Sequence, residues 1–123
     1  MTGKTEIEQI IRLFEESIAT KKQCIEQGLE SIVRIGDEII KSILCGNKMM
    51  FCGNGGSAAD AQHLAAEMLI RLRPNNNREG VPAIALAQDV STITACGNDF
   101  GYNVLYERMV TSLGNKGDCL IGI

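Results

Sequence analysis

The segment Phe51-Cys52-Gly53-Asn54-Gly55-Gly56-Ser57-Ala58-Ala59-Asp60 constrains the fold more than any other part of the chain. It follows a short apolar run, Lys48 to Cys52, that reads as a buried strand. It leads into a helical pattern from Ala58 to about Leu72. The glycines let the backbone approach a ligand closely, and Ser57 is placed to cap the helix with Asp60 three residues on. The exposed amides and dipole of that N-terminus favour an anionic or strongly polar ligand. Spacing alone leaves two ligand classes open, because Gly53, Gly55 and Ala58 also fill the three small-residue slots of a dinucleotide fingerprint, with Asp89 as its ribose-binding acid. A nucleoside-triphosphate loop is excluded, since no Lys-Ser or Lys-Thr pair follows the glycines.

Helical periodicity fills the chain before this loop. Ile7, Ile10, Ile11, Phe14, Ile18 and Ile25 define a first helix from Thr5 to about Gln27, which Gly28 interrupts. Leu29, Ile32, Val33, Ile39, Ile40, Ile43 and Leu44 define a second, stopped at Gly46-Asn47. Their broad apolar faces either cover a sheet or pack against another copy of the chain. After the loop helix, Arg73 to Gly80 reads as a surface loop and Pro82 to Ala87 as a second strand. A short helix opens at Asp89 and Ser91 and ends near Gly97-Asn98. An irregular stretch from Asp99 to Asn103 precedes another helix, Val104 to Leu113, and Cys119 to Ile123 forms a third strand. Strands alternating with helices imply an α/β three-layer sandwich around a parallel sheet. The expected division is residues 1–46 as N-terminal helices and 47–123 as the sheet-containing part. Ligands of such sheets sit beyond the carboxyl ends of the strands, and the chain ends at such a strand end, so it reads as a fragment.

Composition removes several function classes. The formal net charge is −3 and no Lys or Arg run occurs, which argues against a nucleic-acid partner. Five widely spaced cysteines without a Cys-x-x-Cys pair fit reduced thiols, hence the cytoplasm, better than a disulfide framework. The N-terminus carries acids early and is not a signal peptide, and no apolar stretch is long enough to span a bilayer, so no membrane partner is expected.

The helix after the loop carries the chemistry. His63, Glu67 and Arg71 are spaced i, i+4, i+8 and share one stripe. A carboxylate can move a proton between adjacent carbons, an imidazole can bind a metal or polarise a carbonyl, and a guanidinium can hold an anion. His and Glu at that spacing can also share a divalent ion. The plainer reading of the same triplet is a solvated helix face with a chance ion pair.

At these residues the chain resembles the sugar isomerase (SIS) superfamily, and within it the sedoheptulose-7-phosphate isomerases. The resemblance runs through CGNGGSAADAQHLAAEM (Cys52 to Met68), PAIAL (Pro82 to Leu86), GNDFGY (Gly97 to Tyr102) and GD-x-LIGI (Gly117 to Ile123). It implies a flavodoxin-like SIS architecture and a homotetramer with the N-terminal helices in an intersubunit bundle. It also implies the isomerisation of a phosphorylated open-chain sugar, sedoheptulose 7-phosphate, for bacterial surface heptose. By the same resemblance Asn54, Gly55, Gly56 and Ser57 line the substrate, and Asn98 and Asp99 bond sugar hydroxyls. Glu67 binds substrate and acts as one of two acid/base groups, and His63 and Glu67 ligate the zinc that some members carry. The family's Ser/Thr-rich phosphate loop, and the Gln and His that complete its site, follow the third strand, so this stretch alone is expected to be inactive. Two other functions share much of the pattern. One is a non-enzymatic replication-initiator-associating protein of the same superfamily, which tends to lack the counterpart of Glu67. The other is a sibling isomerase or phosphosugar-sensing module.

Overall fold

A computed structural model describes residues 3–123, with the side chain of Lys4 left aside. The elements are α1 (Gly3–Leu44), β1 (Met49–Cys52), α2 (Gly56–Leu69), β2 (Ala83–Ala85), α3 (Val90–Asp99), a 3-10 turn (Tyr102–Val104), α4 (Leu105–Leu113) and β3 (Cys119–Gly122). Met1 and Thr2, the start of the expected N-terminal helical segment, lie outside the described residues. Two compact units are present, Met1–Glu38 and Ile39–Ile123.

The described residues of the first unit, 3–38, lie within α1, which differs from the two helices expected from sequence. The helix is continuous over 42 residues and runs through Gly28. The apolar positions keep their phase across that glycine (Ile25, Leu29, Ile32), and no proline or capping residue supplies a stop, so a local propensity cost is outweighed by the register on both sides. Within the first unit this stripe is exposed: Ile7, Phe14, Ile18 and Ile32 are each more than half accessible.

The second unit is the α/β sandwich. Its three strands are parallel in the order β2-β1-β3, with Phe51 opposite Ala85 on one side and Ile121 on the other. From the central strand the chain crosses one way to β2 and the other way to β3. Right-handed crossovers therefore place α2 and α4 on opposite faces of the sheet. Alternation along β1 does the rest. Met49 and Phe51 pack with Ala61 and Ala65 of α2, joined at the edge by Ile39, Ile43 and Met68. Met50 reaches the other face, where its terminal carbon lies close to Gly114 at the end of α4. Ala61 and Ala65 are fully buried one turn apart, and their small side chains let α2 lie close to the sheet.

The start of the sheet is fixed by polar groups. Asp118 accepts from the backbone N–H of Lys48 at 2.9 Å and of Asn115 at 2.7 Å, and it pairs with the Lys48 ammonium. Ser42 donates to the Gly117 carbonyl at 2.7 Å. Gly117 takes φ +102°, and a Cβ there would meet the Asn47 side chain at 2.6 Å, so only glycine fits that turn.

Candidate active site

The glycine loop sits at the carboxyl end of β1, the central strand. Gly53 has to be glycine because a Cβ would lie 2.6 Å from the Ser57 backbone. Gly55 has to be glycine because it takes φ 58°, ψ −120°. That residue is the N-cap of α2, and as a glycine it has no side chain to cap with. The expected Ser57–Asp60 capping box does not form, because the helix begins at Gly56 and leaves Ser57 already inside the first turn. The N–H of Ser57 turns back to the Asn54 carbonyl at 3.0 Å, and those of Ala58 and Ala59 turn to Gly55. Asn54, Gly55 and Gly56 are exposed and Ser57 is half-buried, so the loop offers its side chains and the open N-terminus of α2 to a ligand.

Tyr102 brings the end of the 98–102 segment to this loop. Asn98 and Asp99 close α3, with Asn98 Nδ2 donating to Asp99 Oδ1 at 2.8 Å. The N–H groups of Phe100 and Gly101 both return to the Cys96 carbonyl, and Gly101 takes φ +89°, which turns the chain so that the Tyr102 hydroxyl donates to Asn54 Oδ1. Tyr106, one turn on, donates to the Gly53 carbonyl. Burial raises the Tyr106 phenol above its usual value, and the neighbouring Tyr102 adds to the effect. Asp99 also borders a cavity of about 400 Å³ between α3 and α4, with Cys96, Leu105 and Met109 in its wall and Arg108 stacked 3.8 Å over the Phe100 ring. Asp89, the acid a dinucleotide loop requires, is engaged as the N-cap of α3, accepting from the Thr92 N–H at 2.7 Å, and that bond lowers its pKa.

His63 and Glu67 are brought together on α2, with Nε2 and Oε1 3.5 Å apart. The imidazole is exposed and the carboxylate is largely buried, at 72% and 25% accessibility. Glu67 Oε2 is buried and has no hydrogen-bond partner. Both residues line an open cavity of about 530 Å³ whose floor is Met49, Phe51 and Ile121, with Arg73 and Arg78 at the rim. A buried carboxylate oxygen without a hydrogen-bond partner is costly unless something is bound there, which makes it the strongest pointer to a ligand among the described residues.

Arg71 does not extend the stripe. The helix ends at Leu69, short of the expected Leu72, and Arg71 turns to the Pro74 carbonyl at 3.1 Å. The cause is Arg78, whose guanidinium donates to the carbonyls of Glu67 at 2.6 Å and Met68 at 2.8 Å, while the Val81 N–H also reaches Met68. These groups cap the last turn from outside the helix. Arg78, Tyr102 and Tyr106 play parts that spacing did not single out, because each acts on a backbone or side chain far away in sequence.

Glu67 is not on the turn next to the glycine loop. It lies ten positions along α2 from Ser57, about 15 Å of helix axis, and the loop does not line the Glu67 cavity. The structure thus brings together His63 with Glu67, and Asn54 with the segment that carries Asn98 and Asp99. The two groups stand apart along α2.

With this geometry in place, residues 12–123 match the model of the SIS domain. The chain belongs to the SIS domain family. Among SIS relatives it is 46% identical over 114 residues to a phosphoheptose isomerase of Roseiflexus sp. (strain RS-1), covering 93% of this chain and 57% of that one. It is 48% identical over 109 residues to that of Aliarcobacter butzleri, covering 89% and 55%. Two solved structures superpose closely. A phosphoheptose isomerase from Francisella tularensis gives a TM-score of 0.87 at 33% identity over 95% of this chain and 60% of that one. One from Neisseria gonorrhoeae gives 0.82 at 37% identity over 94% and 58%. The chain therefore spans between 55 and 60% of the length of these SIS relatives.

Proposed function

We propose that the full-length protein is a ketose–aldose isomerase that converts D-sedoheptulose 7-phosphate to D-glycero-D-manno-heptose 7-phosphate. The observation that carries this reading is the buried, unpartnered carboxylate oxygen of Glu67 in a chain 46% identical to a phosphoheptose isomerase. The reaction moves a carbonyl from C2 to C1. A base takes a proton from C1, the electron pair forms the C1–C2 double bond of an enediol, and the C2 oxygen gains a proton. Return of a proton to C2 and loss of one from the C1 hydroxyl then gives the aldose. A carboxylate with one buried oxygen, in a cavity also lined by Phe51 and Ile121, suits one of these transfers, because that oxygen is free of competing donors. In this proposal the open chain lies along α2: Asn54, Gly55, Gly56 and Ser57 bind its polar groups at the helix N-terminus, Asn98 and Asp99 bond its hydroxyls, and Glu67, about 15 Å further along the helix axis, acts at the C1–C2 end. A second acid/base group completes the cycle from beyond these elements.

A zinc site at His63 and Glu67 belongs to the same proposal. The imidazole nitrogen and the free carboxylate oxygen are suitable donors, and a zinc ion would polarise the substrate carbonyl. Among the described residues no group of three or more His, Cys, Asp or Glu is placed to hold a metal, so further ligands come from elsewhere. His63→Ala is expected to lower the zinc content found by elemental analysis, and wild-type protein that is active without bound metal would remove the site.

The exposed stripe of Ile7, Phe14, Ile18 and Ile32 on α1 supports self-association, and we assign a homotetramer built on these helices. Ile18→Asp should shift the mass measured by light scattering towards smaller species, and an unchanged mass would count against it. Five unpaired cysteines suit the reducing cytoplasm, and no helix among the described residues is long and apolar enough to cross a membrane.

The deciding experiment is a coupled assay of the full-length protein on sedoheptulose 7-phosphate. Glu67→Gln should lower turnover by about 10²–10⁴-fold with the fold intact. Turnover near the wild-type rate in that variant would overturn the assignment of Glu67.

A further inference from the structure

Two tyrosine hydroxyls converge on the glycine loop from the opposite side of the sheet to Glu67. Gly53 is buried, and its carbonyl lies at the carboxyl end of the central strand, where the ladder has ended. A buried carbonyl without a donor is costly, and the Tyr106 hydroxyl supplies one. The Tyr102 hydroxyl donates to Oδ1 of the next residue, Asn54. Tyr102 and Tyr106 sit four residues apart, and Leu105 between them is 1% exposed and anchors the start of α4 in the core. The pair is therefore anchored by the burial of Leu105 as well as by its bonds to the loop.

We infer that Tyr102 and Tyr106 are positioning residues of the ligand site, one fixing the backbone at Gly53 and the other orienting the Asn54 amide. With Oδ1 occupied by Tyr102, the Nδ2 group of Asn54 is left as a donor for an incoming hydroxyl or phosphate oxygen. The two contacts also give the GNDFGY segment a purpose its composition does not reveal: it carries Tyr102 across to the loop. The Tyr102–Asn54 bond joins two exposed side chains, so water replaces it readily and it adds little to folding stability. Its effect falls on the geometry of the bound state.

The substrate in this inference rests on the isomerase reading, and the clamp itself does not. In the full-length protein Tyr102→Phe should raise KM for sedoheptulose 7-phosphate about fivefold, lower kcat by less than about threefold, and leave the melting temperature unchanged. In an Asn54→Ala background the same change should alter KM by less than about twofold, because the amide it orients is gone. A Tyr102→Phe variant with wild-type KM, or a full additional loss in the Asn54→Ala background, would overturn the inference. Hydrogen exchange supplies a readout independent of turnover: Tyr106→Phe should speed exchange of the amides from Gly53 to Ala59 at an otherwise native pattern. Wild-type protein with no isomerase activity would remove the substrate assignment, and the exchange rates would still decide the clamp, with unchanged rates refuting it.

Discussion

Arg78 holds the main chain of Glu67 by donating from Nη2 to its carbonyl oxygen at 2.6 Å. The same guanidinium reaches Met68 and Glu79, so a single side chain ties the end of α2 to the returning loop. Carbonyls at a helix C-terminus have no partner inside the helix, and charge-assisted donors there also complement the helix dipole. Arg78→Ala should therefore lower unfolding free energy by about 1–3 kcal/mol in urea titrations. It should also lower turnover of the full-length protein, because the turn bearing the carboxylate is no longer fixed. Arg78→Lys keeps the charge without the fork and should fall between the two. Equal stability of all three proteins would show that the contacts contribute nothing.

Glu67, the acid/base group of the proposed reaction, is expected to lower stability. Its Oε2 is buried without a donor, and its contact to the exposed His63 is too long and too solvated to offset that. Glu67→Leu, which fills similar space without the oxygens, should raise unfolding free energy by about 1 kcal/mol while abolishing turnover. A loss of stability in that variant would mean that the carboxylate has a structural partner in the full-length protein.

Much of the second unit was legible because its signals are local. Alternating strands and helices, the run Lys48–Cys52 and the glycine string announced a parallel sheet with a loop at a strand end, and the parallel order β2-β1-β3 is that sheet. The pairing of His63 with Glu67 followed from helical spacing in the same way. Three features were hidden because their causes are distant in sequence. Gly28 looked like a break, yet the phase of Ile25, Leu29 and Ile32 carried the helix through. Arg71 looked like part of the stripe, yet Arg78 and Val81 ended the helix before it. Ser57 looked like a cap, yet the demands of Gly53 and Gly55 started the helix two residues early.

Asp118 makes the fold sensitive to acid. Its carboxylate is held down to about 2, first by the Lys48 side chain and then by the backbone N–H groups of Lys48 and Asn115. A carboxylate depressed on folding contributes stability in full above its unfolded value of 3.8, and that contribution is lost as pH falls from there towards 2. Urea midpoints measured at intervals between pH 5 and pH 2 should therefore fall more steeply for the wild type than for Asp118→Asn. Parallel curves would show that protonation of Asp118 does not loosen the joint between β1 and β3.

Gly28 and Gly36 offer the opposite kind of change. Both lie inside α1 with ordinary helical backbone, and a Cβ added at either would meet no atom within 4 Å. Glycine in a helix interior loses more backbone entropy than alanine, so Gly28→Ala and Gly36→Ala should each stabilise the helix by about 0.5–1 kcal/mol. Unfolding should be followed at several protein concentrations, since association on the α1 stripe makes the midpoint concentration-dependent. A gain at all concentrations is the outcome expected of glycines facing open space. A loss that grows with concentration would place the glycine at a helix–helix contact too close for a methyl group, and would identify which side of α1 its partner occupies.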